Sequence, residues 1–320
     1  MSWTDRPVTV RVPATSANLG PGFDSLGLAL TLHDTVQARL QPAGLSIEVT
    51  GVGADAAALG ERHLVVQAIR AACAVIGKQP PGIAIHCGNV MPQGFGLGSS
   101  AGAIVAGLLA GRALAGDSGR AALPDDVVLR LACELDGHAD NVAACLAGGL
   151  TIAWTPPEAA AGQATSPGPR SVRLQPLADL LPVVCIPDRP LATKVARQAL
   201  PDQVPHADAA ANSARAALLV TALTSRPDLL MDATDDYLHQ RYRATAMPES
   251  AAVVGRLRAA GVPAVVSGAG PAVLALTMPD AREGVTTVRT IAATAGGQWR
   301  VLPLRVETEG ARVTAGPDEA

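Results

Sequence analysis

The sequence predicts an α+β protein of two domains, and three observations support this fold class. The chain has 320 residues, about twice an ordinary domain length, so one large or two medium domains are expected. Its beginning has the alternation typical of strands, and its second half alternates helices and strands. Between them, residues 155–169 are rich in proline, alanine, glycine and serine, as in a linker or exposed loop. We therefore divide the chain into domains of residues 1–160 and 161–320.

The first half contains the strands that open the fold and three helices. Strands are predicted over residues 8–12, 26–32, 36–40, 45–49, 83–87 and 150–154. Residues 13–24 are rich in turn formers and interrupt the first two strands. Apolar residues at helical spacing predict helices over residues 64–76, 99–114 and 127–135.

The second half follows the α+β pattern. Strands are predicted over residues 181–187, 264–267, 273–277 and 299–306, and helices over residues 193–200, 209–223, 253–260 and 282–295. The polar tail, residues 308–320, is predicted to be frayed.

Composition excludes several classes of protein. A net charge of −3 argues against general nucleic-acid binding, which needs a basic excess to contact phosphates. The longest apolar run is too short for a membrane span, and the N-terminal residues have no apolar signal core. Five scattered cysteines without a C-x-x-C pair indicate buried thiols in a reducing cytoplasm. Neither lysine, Lys78 nor Lys194, follows glycines as a P-loop requires.

The strongest functional signal is a glycine-rich loop that runs directly into a predicted helix. Gly94, Gly96 and Gly98 let the backbone approach a ligand closely and adopt positive φ. Ser99 and Ser100 then present backbone N–H groups at the helix start, where the helix dipole favours anions. Such a pattern is typical of a loop capping an ordinary helix, and equally of a phosphate cradle built from backbone amides.

Two other glycine-rich motifs, taken alone, are typical of turns. Residues 13–24 have the sequence PATSANLGPGFD and hold one carboxylate, Asp24, which would need a partner if buried. Residues 265–273 have the sequence VVSGAGPAV. Gly268 and Gly270 in this second motif leave room for a phosphate or a substrate.

An acidic motif, ELDGHADN at residues 134–141, places three carboxylates, a histidine and an amide close together. Such groups can hold a metal ion and orient an acceptor hydroxyl for phosphoryl transfer. A helix end followed by a solvated acidic loop would give the same pattern. A zinc site is disfavoured because His138 has no second His or Cys at ligand spacing.

Together these motifs resemble those of the GHMP kinases, and among them the homoserine kinases, from about residue 10 to residue 306. The resemblance implies an N-terminal α/β domain related to a ribosomal-protein fold and a C-terminal ferredoxin-like domain, with the site in the cleft between them. It assigns ATP binding to the glycine-rich stretch Met91, Pro92, Gln93, Gly94, Phe95, Gly96, Leu97, Gly98, Ser99, Ser100 and Ala101.

The same resemblance assigns the remaining site residues. It implies that Ser100 and Glu134 hold Mg²⁺. Catalytic positions would be Asn141, Thr193 and Arg197, and substrate contacts would be Asn18, Asp24, His138, Asp140, Arg197, Arg243, Gly268 and Gly270. The sequence departs from the family at His63, Ala139 and Ala192, where Asn, Pro and Ser are common.

The implied reaction is transfer of the γ-phosphoryl group of ATP to the side-chain hydroxyl of L-homoserine, in threonine biosynthesis, with Mg²⁺ and without a dedicated base. Asp24 would face the substrate ammonium, and Arg197 and Arg243 its carboxylate. The resemblance implies a cytoplasmic enzyme, with no nucleic-acid or membrane partner, and it alone suggests a homodimer.

Two alternatives remain open. One is a sibling kinase for mevalonate, a sugar or shikimate, although these substrates lack an ammonium group. The other is a nucleotide-binding regulator that has lost catalysis.

Overall fold

Two β-sheets with helices packed against them form the protein, as seen in a computed structural model that describes residues 3–156, 168–278 and 282–316. The strands are β1 (Val8–Ala17), β2 (Leu26–Leu40), β3 (Gly44–Gly51), β4 (Gly82–Asn89), β5 (Leu150–Trp154), β6 (Arg170–Leu174), β7 (Leu181–Pro187), β8 (Ala264–Val266), β9 (Val273–Thr277), β10 (Trp299–Pro303) and β11 (Arg312–Ala315).

Helices connect these strands. They are α1 (Leu64–Ile76), α2 (Ser99–Leu114), α3 (Gly116–Ala122), α4 (Asp125–Asp136), α5 (Ala139–Ala147), α6 (Thr193–Gln198), α7 (His206–Thr224), α8 (Leu230–Ala233), α9 (Gln240–Arg243), α10 (Pro248–Ala259) and α11 (Arg282–Ala293), with 3₁₀ turns at Ala54–Arg62 and Pro227–Leu229. None of the helices in the described ranges is long and apolar enough to cross a membrane.

The first sheet has seven strands and contains one parallel pair. Its main path runs β11-β1-β2-β4-β3, and β5 joins β2 to β6. Among the strands of the described ranges, only β3 and β4 run parallel. The turn-rich residues 13–17 belong to β1, because pairing with β2 continues past a bulge between Pro13 and Ala14. The two strands predicted over residues 26–40 are likewise one strand, β2.

The second sheet is ferredoxin-like, as predicted. Its order is β10-β7-β9-β8, and its pairs are antiparallel. In chain order this is a β-α-β-β-α-β unit, with α7 and α10 among the helices between β7 and β8, and α11 between β9 and β10.

The tail is not frayed throughout, which corrects the prediction. Strand β11 pairs with residues 8–11 of β1 and extends the first sheet. Strand β6 also joins this sheet through β5. The second half of the chain therefore contributes to both sheets. The division at residues 160 and 161 stays a prediction, and most of the predicted linker, residues 157–167, lies outside the described residues.

Helix α2 is surrounded by the helices and strands of the first half of the chain. Their packing fixes the position of its first turn. It packs on α1, α4, α5 and strands β1 and β2. Gly107 and Gly111 lie against Ala68 and Ala72 of α1, where an added Cβ would meet the facing side chains. This close contact explains why a glycine-containing segment is a well-packed helix, and it holds Ser99 and Ser100 in one place.

Candidate active site

The three glycine-rich motifs, far apart in the sequence, interlock through hydrogen bonds. The Ser267 hydroxyl donates to the Gly96 carbonyl at 2.7 Å, and Gly268 N–H donates to the Ala17 carbonyl at 3.0 Å. Thr15 N–H donates to the Leu97 carbonyl at 3.1 Å. The loop before α2 is therefore held between strand β1 and the turn that joins β8 to β9.

Glycine is required twice within this loop. Gly96 and Gly98 have φ of 76° and 69°, in the left-handed region that favours glycine. A Cβ at Gly96 would collide with the Ser267 carbonyl, and one at Gly98 with the Thr15 hydroxyl. Gly98 is also the N-cap of α2 and has no side chain to occupy the helix N–H groups. These N–H groups have no intrahelical partner and suit an anion.

A cleft of about 440 Å³ opens over this loop. Most of the predicted site residues line it: Asn18, Asp24, Pro92, Gln93, Gly94, Gly96, Leu97, Gly98, Ser99, Ser100, Ala101, His138, Asp140, Asn141, Thr193, Arg197, Arg243 and Gly268. The tertiary structure thus brings together residues from both halves of the chain.

Four predicted residues lie outside the cleft lining. Met91 is fully buried in the core, and Phe95 packs against that core. Gly270 lies in the turn behind the cleft, where its Cα faces Met247. Glu134, predicted to hold a metal, is 57% exposed at its side chain and pairs with Arg130 at 3.0 Å.

The cleft lining contains Asp136 and not Glu134, whose role as a metal ligand stays a prediction. Asp136 lines the cleft, and its side chain is only 4% exposed. Both residues lie at the end of α4, but two positions along a helix are about 200° apart around its axis. Glu134 therefore faces solvent, and Asp136 lines the same cleft as Ser100.

One end of the cleft carries opposite charges. Arg197 donates to both carboxylate oxygens of Asp24, at 2.8 and 3.2 Å. Beside this pair, the Arg243 guanidinium is buried, and burial lowers its pKa. Asn18 donates to the Gly268 carbonyl at 2.8 Å and accepts the Asp24 N–H at 2.9 Å.

The acidic motif forms the wall next to these charges. The Asn141 Oδ1 accepts a hydrogen bond from the Thr15 hydroxyl at 2.7 Å, which fixes the amide orientation. Burial raises the pKa of Asp140 to about 6, although the Asn141 N–H donates to it at 2.8 Å. His138 Nδ1 donates to Asp136 at 3.2 Å, and this hydrogen bond raises the pKa of His138.

The other end of the cleft is more apolar and contains two residues that sequence reasoning did not place in the site. Asp34 is buried and accepts N–H groups of Val90 and Met91 at 2.6 and 2.9 Å, and burial raises its pKa. It thereby anchors the start of the glycine loop. His63 is 6% exposed, and its Nδ1 has no hydrogen-bond partner among the described residues.

The sequence contains only weak signals that Asp34 and His63 belong to the cleft. The one local signal for Asp34 is a carboxylate shortly after the apolar first half of β2. The departure at His63 marked that position as unusual. Neither signal indicates the cleft, because the two residues come from different elements.

Comparisons with known proteins identify the family of the chain. Residues 63–149 match the family described as "GHMP kinases N terminal domain", and residues 214–287 match "GHMP kinases C terminal". The homoserine kinase of Streptomyces coelicolor is 51% identical over 306 residues, covering 96% of this chain and 94% of that protein. That of Mycolicibacterium smegmatis is 44% identical, covering 95% of this chain and 94% of that protein.

Solved structures give the same result for the fold. The crystal structure of homoserine kinase from Cytophaga hutchinsonii superposes with a TM-score of 0.81 at 29% identity, covering 98% of this chain and 99% of that one. L. major mevalonate kinase, at 14% identity and a TM-score of 0.67, covers 94% of this chain and 96% of its own, and shows the fold alone.

Fold and site together define a kinase of the GHMP class, and the chain belongs to the GHMP kinase family. As a member of that family it uses ATP. Curated relatives that match nearly its whole length, including the two described above, are homoserine kinases.

Proposed function

We propose that the chain transfers the γ-phosphoryl group of ATP to the side-chain hydroxyl of L-homoserine, giving O-phospho-L-homoserine. One observation carries the proposal: the anion cradle at the start of α2 shares a cleft with an acid and two arginines, Asp24, Arg197 and Arg243. An amino-acid substrate has an ammonium and a carboxylate. Asp24 suits the first and the guanidinium groups suit the second.

The ion pair between Asp24 and Arg197 supports a zwitterionic substrate. Each of these side chains is 40–46% exposed, so both can exchange their mutual contact for contacts with a ligand. The substrate ammonium would pair with Asp24, and its carboxylate with Arg197 and Arg243. Neutral sugars and mevalonate do not carry both charges.

Ser100 and Asp136 suit a Mg²⁺ ion in this cleft. Mg²⁺ is usually bound by one or two carboxylates together with substrate phosphates, and not by a dedicated cage of protein ligands. A buried carboxylate and a hydroxyl beside the anion cradle match that donor set. When bound there, Mg²⁺ would neutralise negative charge on the transferring phosphoryl group.

We also propose that no side chain acts as a dedicated base. Thr15 occupies Oδ1 of Asn141, so this amide offers Nδ2 as a donor to the substrate hydroxyl. His138 directs Nδ1 at Asp136, and Asp140 accepts the Asn141 N–H. These contacts fit groups that shape the pocket and orient the hydroxyl. Positioning and charge stabilisation can suffice for a loose phosphoryl-transfer transition state.

The decisive experiment measures ADP release with ATP, Mg²⁺ and one acceptor at a time: L-homoserine, mevalonate, galactose or shikimate. We expect turnover with L-homoserine and little with the others. Preference for another acceptor would identify a sibling kinase. Tight ATP binding without turnover of any acceptor would instead favour a nucleotide-binding regulator.

We propose further that the enzyme is cytoplasmic and forms a homodimer. Its five cysteines are free thiols, which suits a reducing compartment. The dimer rests on the family resemblance alone, and sedimentation equilibrium of the purified protein tests it.

A further inference from the structure

A buried histidine outside the cleft lining, His239, connects Arg243 with the loop that carries Asp24. His239 is fully buried at the N-cap of α9, and Arg243 lies one turn further along the chain. The His239 ring stacks on Phe23, with centroids 5.2 Å apart. The Arg243 guanidinium lies 5.5 Å from the same Phe23 ring. These three side chains form a packed unit, and Phe23 directly precedes Asp24 in the chain.

Hydrogen-bonding chemistry fixes the state of the His239 ring. Its Nε2 lies 2.9 Å from the Gly20 carbonyl, which can only accept, so Nε2 carries a proton. Its Nδ1 lies 3.1 Å from Nη1 of Arg243, which can only donate, so Nδ1 is the acceptor. The ring is therefore the neutral Nε2–H tautomer, and burial lowers its pKa.

Three acceptors hold the guanidinium of Arg243. Nη1 donates to His239 and, at 3.2 Å, to the Gly268 carbonyl, and Nε donates to the Ala196 carbonyl at 3.2 Å. None of the hydrogen bonds within the described ranges uses Nη2. These bonds fix the planar guanidinium and leave its Nη2 group to donate to a ligand, and Arg243 lines the cleft.

We infer that His239 is a positioning residue for substrate binding: its Nδ1 fixes the guanidinium of Arg243, and its Nε2–H ties that guanidinium to Gly20 of the loop that carries Asp24. The inference rests on the proposed function for the identity of the substrate. His239 would thereby help the enzyme to select acceptors that carry a carboxylate over those that lack one, without touching the substrate itself.

Two amide variants separate the two ring nitrogens. In His239→Asn the side-chain oxygen lies where Nδ1 was, so the acceptor for Arg243 is kept and the donor to Gly20 is lost. In His239→Gln the terminal amide lies where Nε2 was, so the donor is kept and the acceptor is lost. Both variants remove the ring that stacks on Phe23, so each is a control for the other.

The assay compares L-homoserine with 3-aminopropan-1-ol, which has the same hydroxyl and amine but no carboxylate. The readout is the ratio of kcat/KM for the two acceptors, together with the KM for ATP. We expect His239→Gln to lower this ratio roughly tenfold or more, the effect of one hydrogen bond to a charged group. His239→Asn should keep it within about threefold. The double variant Arg243→Leu/His239→Gln should have nearly the same ratio as Arg243→Leu alone. His239 acts on this ratio through Arg243, so its substitution has no further effect once Arg243 is removed.

A second readout does not depend on the substrate. Rotation of the Arg243 guanidinium, measured by ¹⁵N NMR, should be slow in the wild type and in His239→Asn and fast in His239→Gln. Equal ratios in the two amide variants, or equal guanidinium rotation, would overturn the inference. Absence of wild-type turnover with L-homoserine would instead overturn the proposed function, and the NMR result would still decide the role of His239.

Discussion

Arg197 and Asp24 form a two-pronged ion pair across the cleft, with N–O distances of 2.8 and 3.2 Å, although 173 residues separate them in the chain. The pair joins the loop after β1 to helix α6 in the second half. Both side chains are partly exposed, so the pair contributes little to stability. Its position beside Arg243 is the basis of the role in substrate binding that we propose for it.

Substitution of the charged residues is expected to affect acceptor binding selectively. Arg197→Leu and Arg243→Leu should each raise the KM for L-homoserine strongly, since loss of a charge-assisted pair to a carboxylate costs about 2–3 kcal/mol. The KM for ATP should change less than about threefold. Steady-state kinetics with each substrate varied in turn measure both. A collapse of ATP binding would reassign the arginines to the triphosphate.

Asp136 and Glu134 provide a matched pair of carboxylates on one helix. Asp136→Asn should lower kcat by roughly 10²-fold or more, through loss of a charge that stabilises the transition state. Glu134→Gln should leave kcat nearly unchanged, because Glu134 is exposed and pairs with Arg130. Rates measured over a Mg²⁺ titration test this prediction. A large loss in Glu134→Gln alone would return the metal role to Glu134.

Asp140 is expected to make stability depend on pH. Its pKa is about 6 in the folded protein, above the ordinary value of 3.8, because burial disfavours the charged form. The folded state therefore holds this proton more tightly than the unfolded chain. Relative to Asp140→Asn, the wild type should lose stability as pH rises from about 4 to about 6, by at most ~3 kcal/mol, with no further change above.

Urea unfolding of wild type and Asp140→Asn across that pH range measures the difference, and contributions from the other groups cancel in the comparison. A difference that stays constant with pH would show that Asp140 is not buried as a neutral acid.

His138 should be dispensable for proton transfer. We expect His138→Gln to retain kcat within about tenfold, since loss of a general base costs 10²–10⁴-fold. The wild-type kcat should show no steep limb near the ordinary histidine pKa of about 6.5 or above it, where the bond to Asp136 moves the pKa of His138. His206→Gln, on an exposed helix end outside the cleft, is the control. A fall of several orders of magnitude with L-homoserine binding intact would make His138 the base.

His63 should influence the nucleotide and not the acceptor. Its Nδ1 is buried without a partner in the described part of the chain, and it lines the cleft together with apolar residues such as Leu64 and Val65. Burial lowers the pKa of His63, so the ring is neutral at physiological pH. His63→Phe should raise the KM for ATP roughly fivefold, the effect of one neutral hydrogen bond. An equal rise in the KM for L-homoserine would contradict this placement.

The spacing of apolar residues predicted most helices and strands, because a helix buries every third or fourth residue and a strand every second one. Helices α1 and α2 and strands β5, β7 and β9 have the predicted bounds. Helix α5 was missed, because the acidic motif at its start has the composition of a loop. Strand β11 was missed because its polar residues form a strand only through pairing with β1. The sequence of one segment does not show which distant strand it will pair with.

The sequence by itself determined the family and most residues of the cleft lining, because glycine positions and charged motifs constrain the backbone wherever they occur. Only the tertiary structure decided which carboxylate of α4 faces the cleft, since a rotation of about 200° separates Asp136 from Glu134. It also decided that Asp34 anchors the glycine loop and that His239 holds Arg243. These contacts join elements distant in the chain, and they form only when packing brings those elements together.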